Sequence, residues 1–306
     1  MSEAIAYLNG SLLPASRAVL PVTDSGLVMG AAITEQLRTF AGKLFRVEAH
    51  LERLRHSAVI VGLEEKVDWN ELARVAERLV ERNHGLLAPG DDLGLSVFIT
   101  PGTYPTFASS SSPPAPVVCM HTYPLPFRLW AEKYTTGQSL VTTSVEQIPP
   151  SCLPPELKCR SRIHYYLADR EAAQIEPGAR ALLLDHEGRV VETSTANIVL
   201  YREGEGLVAP PSDRALRGIS LETVGELAER LGMVFARHDL FPEDVARADE
   251  VLLCSTPLCL LPVTRFNGTP IGDGKPGVVF GRLLEAWSEL VGVEPASQAR
   301  RFAQRG

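Results

Sequence analysis

Glu156-Leu-Lys158-Cys-Arg160-Ser-Arg162-Ile-His-Tyr-Tyr-Leu-Ala-Asp-Arg-Glu-Ala172 is the stretch on which the reading of this chain turns. It follows Pro154-Pro155 and carries an apolar period that predicts a helix from Lys158 to about Ile175. Lysine is scarce here. Lys43, Lys66, Lys133, Lys158 and Lys275 are the lysines among 30 basic residues, so arginine supplies most of the positive charge. A desolvated lysine amine can lose its proton and attack a carbonyl carbon, which a guanidinium cannot do. Taken alone, Lys158 reads equally as an ordinary first-turn lysine or as a nucleophile.

The totals narrow the class. The chain has 306 residues, 45% hydrophobic and 22% charged, with net charge −7. That length suits two domains or one large one. Acidic and basic residues are mixed along it, with no basic stripe for nucleic acid. No window approaches the roughly 20 apolar residues of a membrane span. The N-terminal residues lack the basic and apolar regions of a signal peptide. Cys119, Cys152, Cys159, Cys254 and Cys259 are odd in number and irregularly spaced, which fits neither a disulfide framework nor a zinc site. A reduced, cytoplasmic protein without a metal is the expectation.

Working outward from Lys158, the N-terminal part reads as α+β. Asn9-Gly10 marks a hairpin. Residues 30–40 read as a strand in which polar and apolar residues partly alternate, with one face on a site or on solvent. Residues 49–61 form a helix. Asp68-Trp-Asn-Glu71 is a capping box opening a second helix. Strands follow at 93–100 and 117–123, separated by an exposed Ser/Pro loop at 109–116. The domains expected are 1–123, a proline-rich linker 124–130, and 131–306. In the last, many short strands surround helices opening at Lys158, Gly218 and Gly281.

The common catalytic motifs are missing: no phosphate-binding Gly-x-x-x-x-Gly-Lys, no dinucleotide fingerprint, no Gly-x-Ser-x-Gly. Instead, the residues supply what pyridoxal phosphate needs: an amine, a carboxylate for the ring nitrogen and a clamp for the phosphate. Lys158 is the amine. Glu192, in Gly188-Arg-Val-Val-Glu192-Thr-Ser-Thr-Ala-Asn197, is the carboxylate, or else a solvated glutamate at a strand end. Gly218-Ile219-Ser220 opens a helix whose free N–H groups and dipole favour an anion, although Ser220 serves equally as an ordinary N-cap. Ser255 and Thr256 end a strand with two hydroxyls. Arg53, in His50-Leu-Glu-Arg53-Leu54, is a phosphate fork or a surface helix arginine.

The order and spacing of these motifs resemble the class IV pyridoxal-phosphate aminotransferases. That family includes branched-chain aminotransferases, D-amino-acid aminotransferases and 4-amino-4-deoxychorismate lyases. Asp24 to Gly30 and Glu35 to Arg38 are similar to its first-strand motif. Arg53 matches the phosphate arginine, Lys158 the Schiff-base lysine and Glu192 the ring-nitrogen carboxylate. Asn197 falls in the same signature. Gly218, Ile219 and Ser220, with Ser255 and Thr256, match the remaining phosphate contacts. The resemblance implies a two-domain α+β fold type IV enzyme. A smaller N-terminal α/β sandwich and a larger C-terminal pseudo-barrel would hold pyridoxal 5'-phosphate in the interdomain cleft, usually in a homodimer.

The implied activity is a ping-pong transfer of an amino group from an amino acid, branched-chain-like by default, to a 2-oxo acid. The alternatives are lyase-type pyruvate elimination and a non-catalytic ligand-binding relative. Ile163 stands where branched-chain enzymes often have tyrosine, and Pro101 where D-amino-acid enzymes place a carboxylate-binding arginine. The residues expected to contact substrate are therefore Arg38 and Arg162.

Overall fold

The computed structural model describes residues 3–109 and 114–305. Residues 110–113 of the expected Ser/Pro loop lie outside them. By internal packing the chain divides into two units, one of Met1–Leu125 with Leu157–Ser161, the other of Pro126–Glu156 with Arg162–Gly306.

The first unit contains β1 (Ile5–Leu8), β2 (Ser11–Pro14), α1 (Ser25–Val28), β3 (Ile33–Phe40), β4 (Lys43–Leu44), α2 (Val47–Ile60), α3 (Trp69–His84), β5 (Leu93–Thr100) and β6 (Val117–Pro124). Among the described residues the strands form one six-stranded antiparallel sheet, ordered β2-β1-β6-β5-β3-β4. The turn between β1 and β2 is built by Asn9 (φ 46°) and Gly10 (φ 87°), both left-handed as a tight hairpin requires. Leu54 and Ala58 of α2 and Leu72, Val75, Ala76, Leu79 and Val80 of α3 recur at helical spacing. They bury one sheet face together with Ile33, Leu37, Leu95, Val97, Ile99 and Met120.

The Asp68 carboxylate accepts the Glu71 N–H at 2.9 Å. Glu71 itself turns to Arg74 at 2.9 Å, so the expected box is filled on the aspartate side. Asp24, 1% exposed, caps α1 by accepting from the Gly26 N–H at 2.7 Å and the Thr100 hydroxyl at 2.8 Å. The polar residues of β3 are covered rather than solvated: Thr34, Glu35, Arg38 and Thr39 are each at most 1% exposed.

The second unit contains α4 (Lys133–Thr136), β7 (Gln138–Thr142), α5 (Ile163–Ile175), β8 (Arg180–Leu184), β9 (Val190–Thr193), β10 (Asn197–Arg202), β11 (Gly206–Ala209), α6 (Ile219–Arg230), β12 (Phe235–Arg237), α7 (Pro242–Arg247), β13 (Glu250–Ser255), β14 (Cys259–Phe266), β15 (Thr269–Pro270), α8 (Val278–Val291) and α9 (Pro295–Phe302). Its strands make a mixed nine-stranded sheet, ordered β12-β11-β10-β13-β14-β7-β8-β9 with β15 beside β14. Ala168 and Ala172 of α5 let that helix lie close on Val141, Ala181 and Leu183 of β7 and β8. The C-terminal helix α9, not foreseen from the sequence, brings Phe302 onto Phe127 at 6.4 Å between ring centroids.

Lys158 lies ahead of its expected helix, which begins only at Ile163. Around Cys159 the chain bridges the edge of β3. The Lys158 carbonyl accepts the Thr34 N–H at 2.9 Å, and the Arg160 N–H donates to the Ala32 carbonyl at 2.8 Å. Ile33 and Cys159 face each other as an antiparallel bridge. A free strand edge offers ready-made backbone partners, and pairing there overrides a helical reading of the local sequence. Asp68→Ala should leave the fold intact and lower stability by about 1 kcal/mol through loss of the α3 cap, measurable as a shifted urea midpoint at unchanged slope.

Candidate active site

In the first unit the site is organised by Glu35 at the middle of β3. Its carboxylate is 0% exposed and takes Arg53 in a fork, Nε to Oε1 at 2.6 Å and Nη2 to Oε2 at 2.8 Å. His50, one turn before Arg53 on α2, places Nδ1 2.8 Å from Oε2. Burial alone would raise the Glu35 carboxyl. The Arg53 charge and the hydrogen bonds from Arg53 and His50 outweigh it and hold the group well below the usual carboxylate range. Burial pushes His50 the other way, below its ordinary value, more strongly than Glu35 lifts it, and the charges of Arg53 and Lys158 add to the depression. A neutral His50 beside an ionised Glu35 donates through Nδ1. Its Nε2 is buried with no hydrogen-bond partner among the described residues. The Lys158 N–H donates to the Ser57 hydroxyl of α2 at 3.2 Å, which ties the lysine's backbone to the helix that carries Arg53.

In the second unit Glu192 is the last-but-one residue of β9 and 6% exposed, so the reading of it as a solvated strand-end glutamate is overturned. Its Oε1 accepts the Tyr165 hydroxyl at 2.6 Å and the Gln147 amide at 2.9 Å. Burial, reinforced by Glu192, raises Tyr165 well above the ordinary phenol value, so the phenol stays protonated and donating. Two donors on one oxygen fix the rotation of the carboxylate and favour its ionised form.

Close by in sequence, Asn197 opens β10, paired with Cys254 and so beside Ser255 at the end of β13. The Asn197 amide donates to the Leu216 carbonyl at 2.9 Å. That bond sets the approach to α6, which starts at Ile219 after Gly218. The N-cap is Gly218, not Ser220, and α6 has no side-chain cap. Ser220, 4% exposed, sits inside the first turn. Any Cβ at Gly218 would come within 1.9 Å of Asn197 Oδ1, so only glycine fits. An uncapped helix start with glycine before it is a ready anion seat.

Thus the second unit brings together Asn197, Gly218, Ile219, Ser220 and Ser255, with Thr256 next in the chain, while the first brings Lys158 and Arg53 to one helix. Arg38 is 1% exposed and bound into its strand: Nε donates to the Thr39 carbonyl at 3.1 Å and the guanidinium lies 4.0 Å over the Phe40 ring. Arg162 is the half-buried N-cap residue of α5. The sequence reading passed over His50, Gln147 and Tyr165, and it quoted Glu35 only as part of a motif. A polar residue inside an apolar strand was the available signal for Glu35. Nothing in the spacing of Gln147 and Tyr165 announces their convergence on Glu192.

Residues 32–266 match the family Amino-transferase class IV. The D-alanine aminotransferase of Staphylococcus epidermidis is 27% identical over 289 residues, 93% of this chain and 97% of the relative. A branched-chain amino acid aminotransferase of T.th., solved with pyridoxamine 5'-phosphate, superposes with a TM-score of 0.84 at 26% identity, covering 95% of each chain. The Escherichia coli branched-chain aminotransferase shares the fold, with a TM-score of 0.86 at 22% identity and 95% of each chain covered. The family match and the superposition make this chain an aminotransferase of fold type IV. The chain belongs to the class IV aminotransferase family.

The depressed His50 has a consequence for stability. Below about pH 6.5 the unfolded chain gains a proton at His50 that the folded chain refuses, so stability falls as pH drops through the ordinary histidine range. His50→Gln should flatten the fall in melting temperature between pH 7 and pH 5, read by calorimetry at both pH values. A steeper fall in the variant would contradict the neutral His50 assigned here.

Proposed function

We propose that this chain is a pyridoxal-phosphate-dependent transaminase of α-amino acids. Lys158 would be the residue that carries the cofactor, and Arg53, Asn197, Gly218, Ile219, Ser220, Ser255 and Thr256 its phosphate partners. Glu192 would be the partner of the ring nitrogen. The observation that carries the reading is the pair of hydrogen bonds on Glu192 Oε1, which fixes the orientation of a buried carboxylate. The uncapped start of α6 supports the phosphate seat.

The cofactor, when bound, supplies a reactive aldehyde and an electron-withdrawing ring. The chain's own part is to hold and move protons. The Lys158 amine would take and return the proton at the substrate Cα. Arg53, its fork set by Glu35, presents a fixed positive charge. The donor is an α-amino acid and the acceptor a 2-oxo acid. Branched-chain substrates are the default, with D-alanine as the competing donor because relatives carry both names.

The assembly proposed is a homodimer. Val19, Val22, Leu27 and Met29, 69%, 78%, 67% and 63% exposed, form an apolar run suited to a second copy. Sedimentation should give twice the chain mass.

Borohydride treatment of the purified protein should fix the cofactor to one peptide, the one containing Lys158, and Lys158→Ala should be colourless and inactive. Label on another lysine would refute the assignment. Tyr165→Phe should weaken cofactor binding by about 1 kcal/mol, a five-fold or so rise in the dissociation constant of the apoprotein, and shift the pH at which the bound cofactor changes colour.

A further inference from the structure

The sheet face of the first unit carries two polar rows across three strands. Gln36, Ser96 and His121 are in register on β3, β5 and β6, and Arg38, Gly94 and Tyr123 form the next row. Gly94 is what makes the rows touch. A Cβ there would lie 2.2 Å from the Tyr123 ring, so the missing side chain lets that ring cross β5. The Tyr123 hydroxyl then donates to Gln36 Oε1 at 2.7 Å. The Gln36 amide donates to Ser96 Oγ at 3.0 Å. Arg160 Nη2 donates to the same Ser96 oxygen, also at 3.0 Å. With both lone pairs engaged, Ser96 keeps only its O–H to offer, as a donor.

Burial pushes Tyr123 up to about 12 and His121 below its ordinary value. At neutral pH the two rows and Arg160 therefore hold cations and neutral groups, and no residue in them is a carboxylate. Such an array suits an anion.

Its place in the chain says which anion. Lys158 and Arg160 belong to one extended segment on the edge of β3. Side chains alternate along extended backbone, so the two fall on one side of it with Cα atoms about 7 Å apart, and buried Cys159 falls on the other. In an amino acid the carboxylate is bonded to the same carbon whose proton the Lys158 amine would move. We propose that Arg160, steadied by Ser96, binds the α-carboxylate of the substrate. This rests on the assignment of Lys158 above. It places the role two residues from that lysine rather than at Arg38, bound into its strand, or at Arg162, in the other unit.

The test uses the holoenzyme with two readouts. One is the KM and kcat for alanine and for isopropylamine, in which a methyl group replaces the carboxylate. The other is a spectral titration with 4-methylvalerate, a carboxylate that cannot be transaminated. Arg160→Gln should raise the KM for alanine and the Kd for 4-methylvalerate by about 10- to 100-fold, with kcat falling less than KM rises, and should leave isopropylamine turnover unchanged. Arg160→Lys should recover part of the loss, and Ser96→Ala should show a smaller rise at an unchanged melting temperature. The proposal is overturned if KM and Kd stay at wild-type values in Arg160→Gln, or if Arg162→Gln produces the effect instead. Should Arg160→Gln fail to fold, Arg160→Lys and Ser96→Ala carry the same comparison, and wild-type values in both would refute it. If the wild type transaminates no amino acid at all, the reading of Lys158 fails; the 4-methylvalerate titration then reports separately on Arg160.

Discussion

A carboxylate with no exposure to water, gripped by a guanidinium at two points, is the constraint from which the first unit follows. Glu35 on β3 and Arg53 on α2 are too costly to leave apart: stripping one partner from such a buried pair typically costs about 3–5 kcal/mol, because the survivor keeps its charge without compensation. The pair therefore sets where α2 sits on the sheet and how its face is turned. His50 adds the third contact, and Ser57, one turn beyond Arg53, receives the backbone of Lys158. One helix thus indexes Arg53, its counter-charge and the lysine segment to the same strand.

The second unit solves a similar problem with neutral hydrogen-bond donors. Glu192 is held by neutral donors, a phenol and an amide, drawn from α5 and from the loop after β7. Neutral donors aimed at one oxygen orient a carboxylate and favour its charged form. The two carboxylates therefore differ in kind. Glu35 is gripped by a guanidinium fork, whereas Glu192 is oriented by a phenol and an amide.

Much of this was legible in the sequence, and the limits have physical causes. The Asn9-Gly10 hairpin, the Asp68 cap and the amphipathic α3 depend on neighbours within four residues, so local rules find them. The family was legible because Arg53, Lys158, Glu192 and the glycine before α6 stand in the order of its motifs. Lys158 is not on a helix because the backbone partners of Lys158 and Arg160, Thr34 and Ala32, lie over a hundred positions away. Ser220 looked like a cap because serine usually is one; here Asn197 fixes the turn from a distant strand and leaves the glycine in that position. Gln147 and Tyr165 were silent for the same reason, as each becomes informative only once β9 is placed beside them.

The segment 157–161 also governs how the molecule can be taken apart. The polypeptide leaves the first unit after Leu125, returns to it for five residues, and leaves again. A gene fragment ending at Leu125 would encode every other strand of that sheet yet expose the edge of β3, inviting edge-to-edge aggregation. Neither half is a module that recombination could exchange cleanly. The lysine and the scaffold that presents it are inherited together, along with residues 126–156 of the second unit between them, so Lys158 cannot be lost to a domain swap without baring that edge of the sheet.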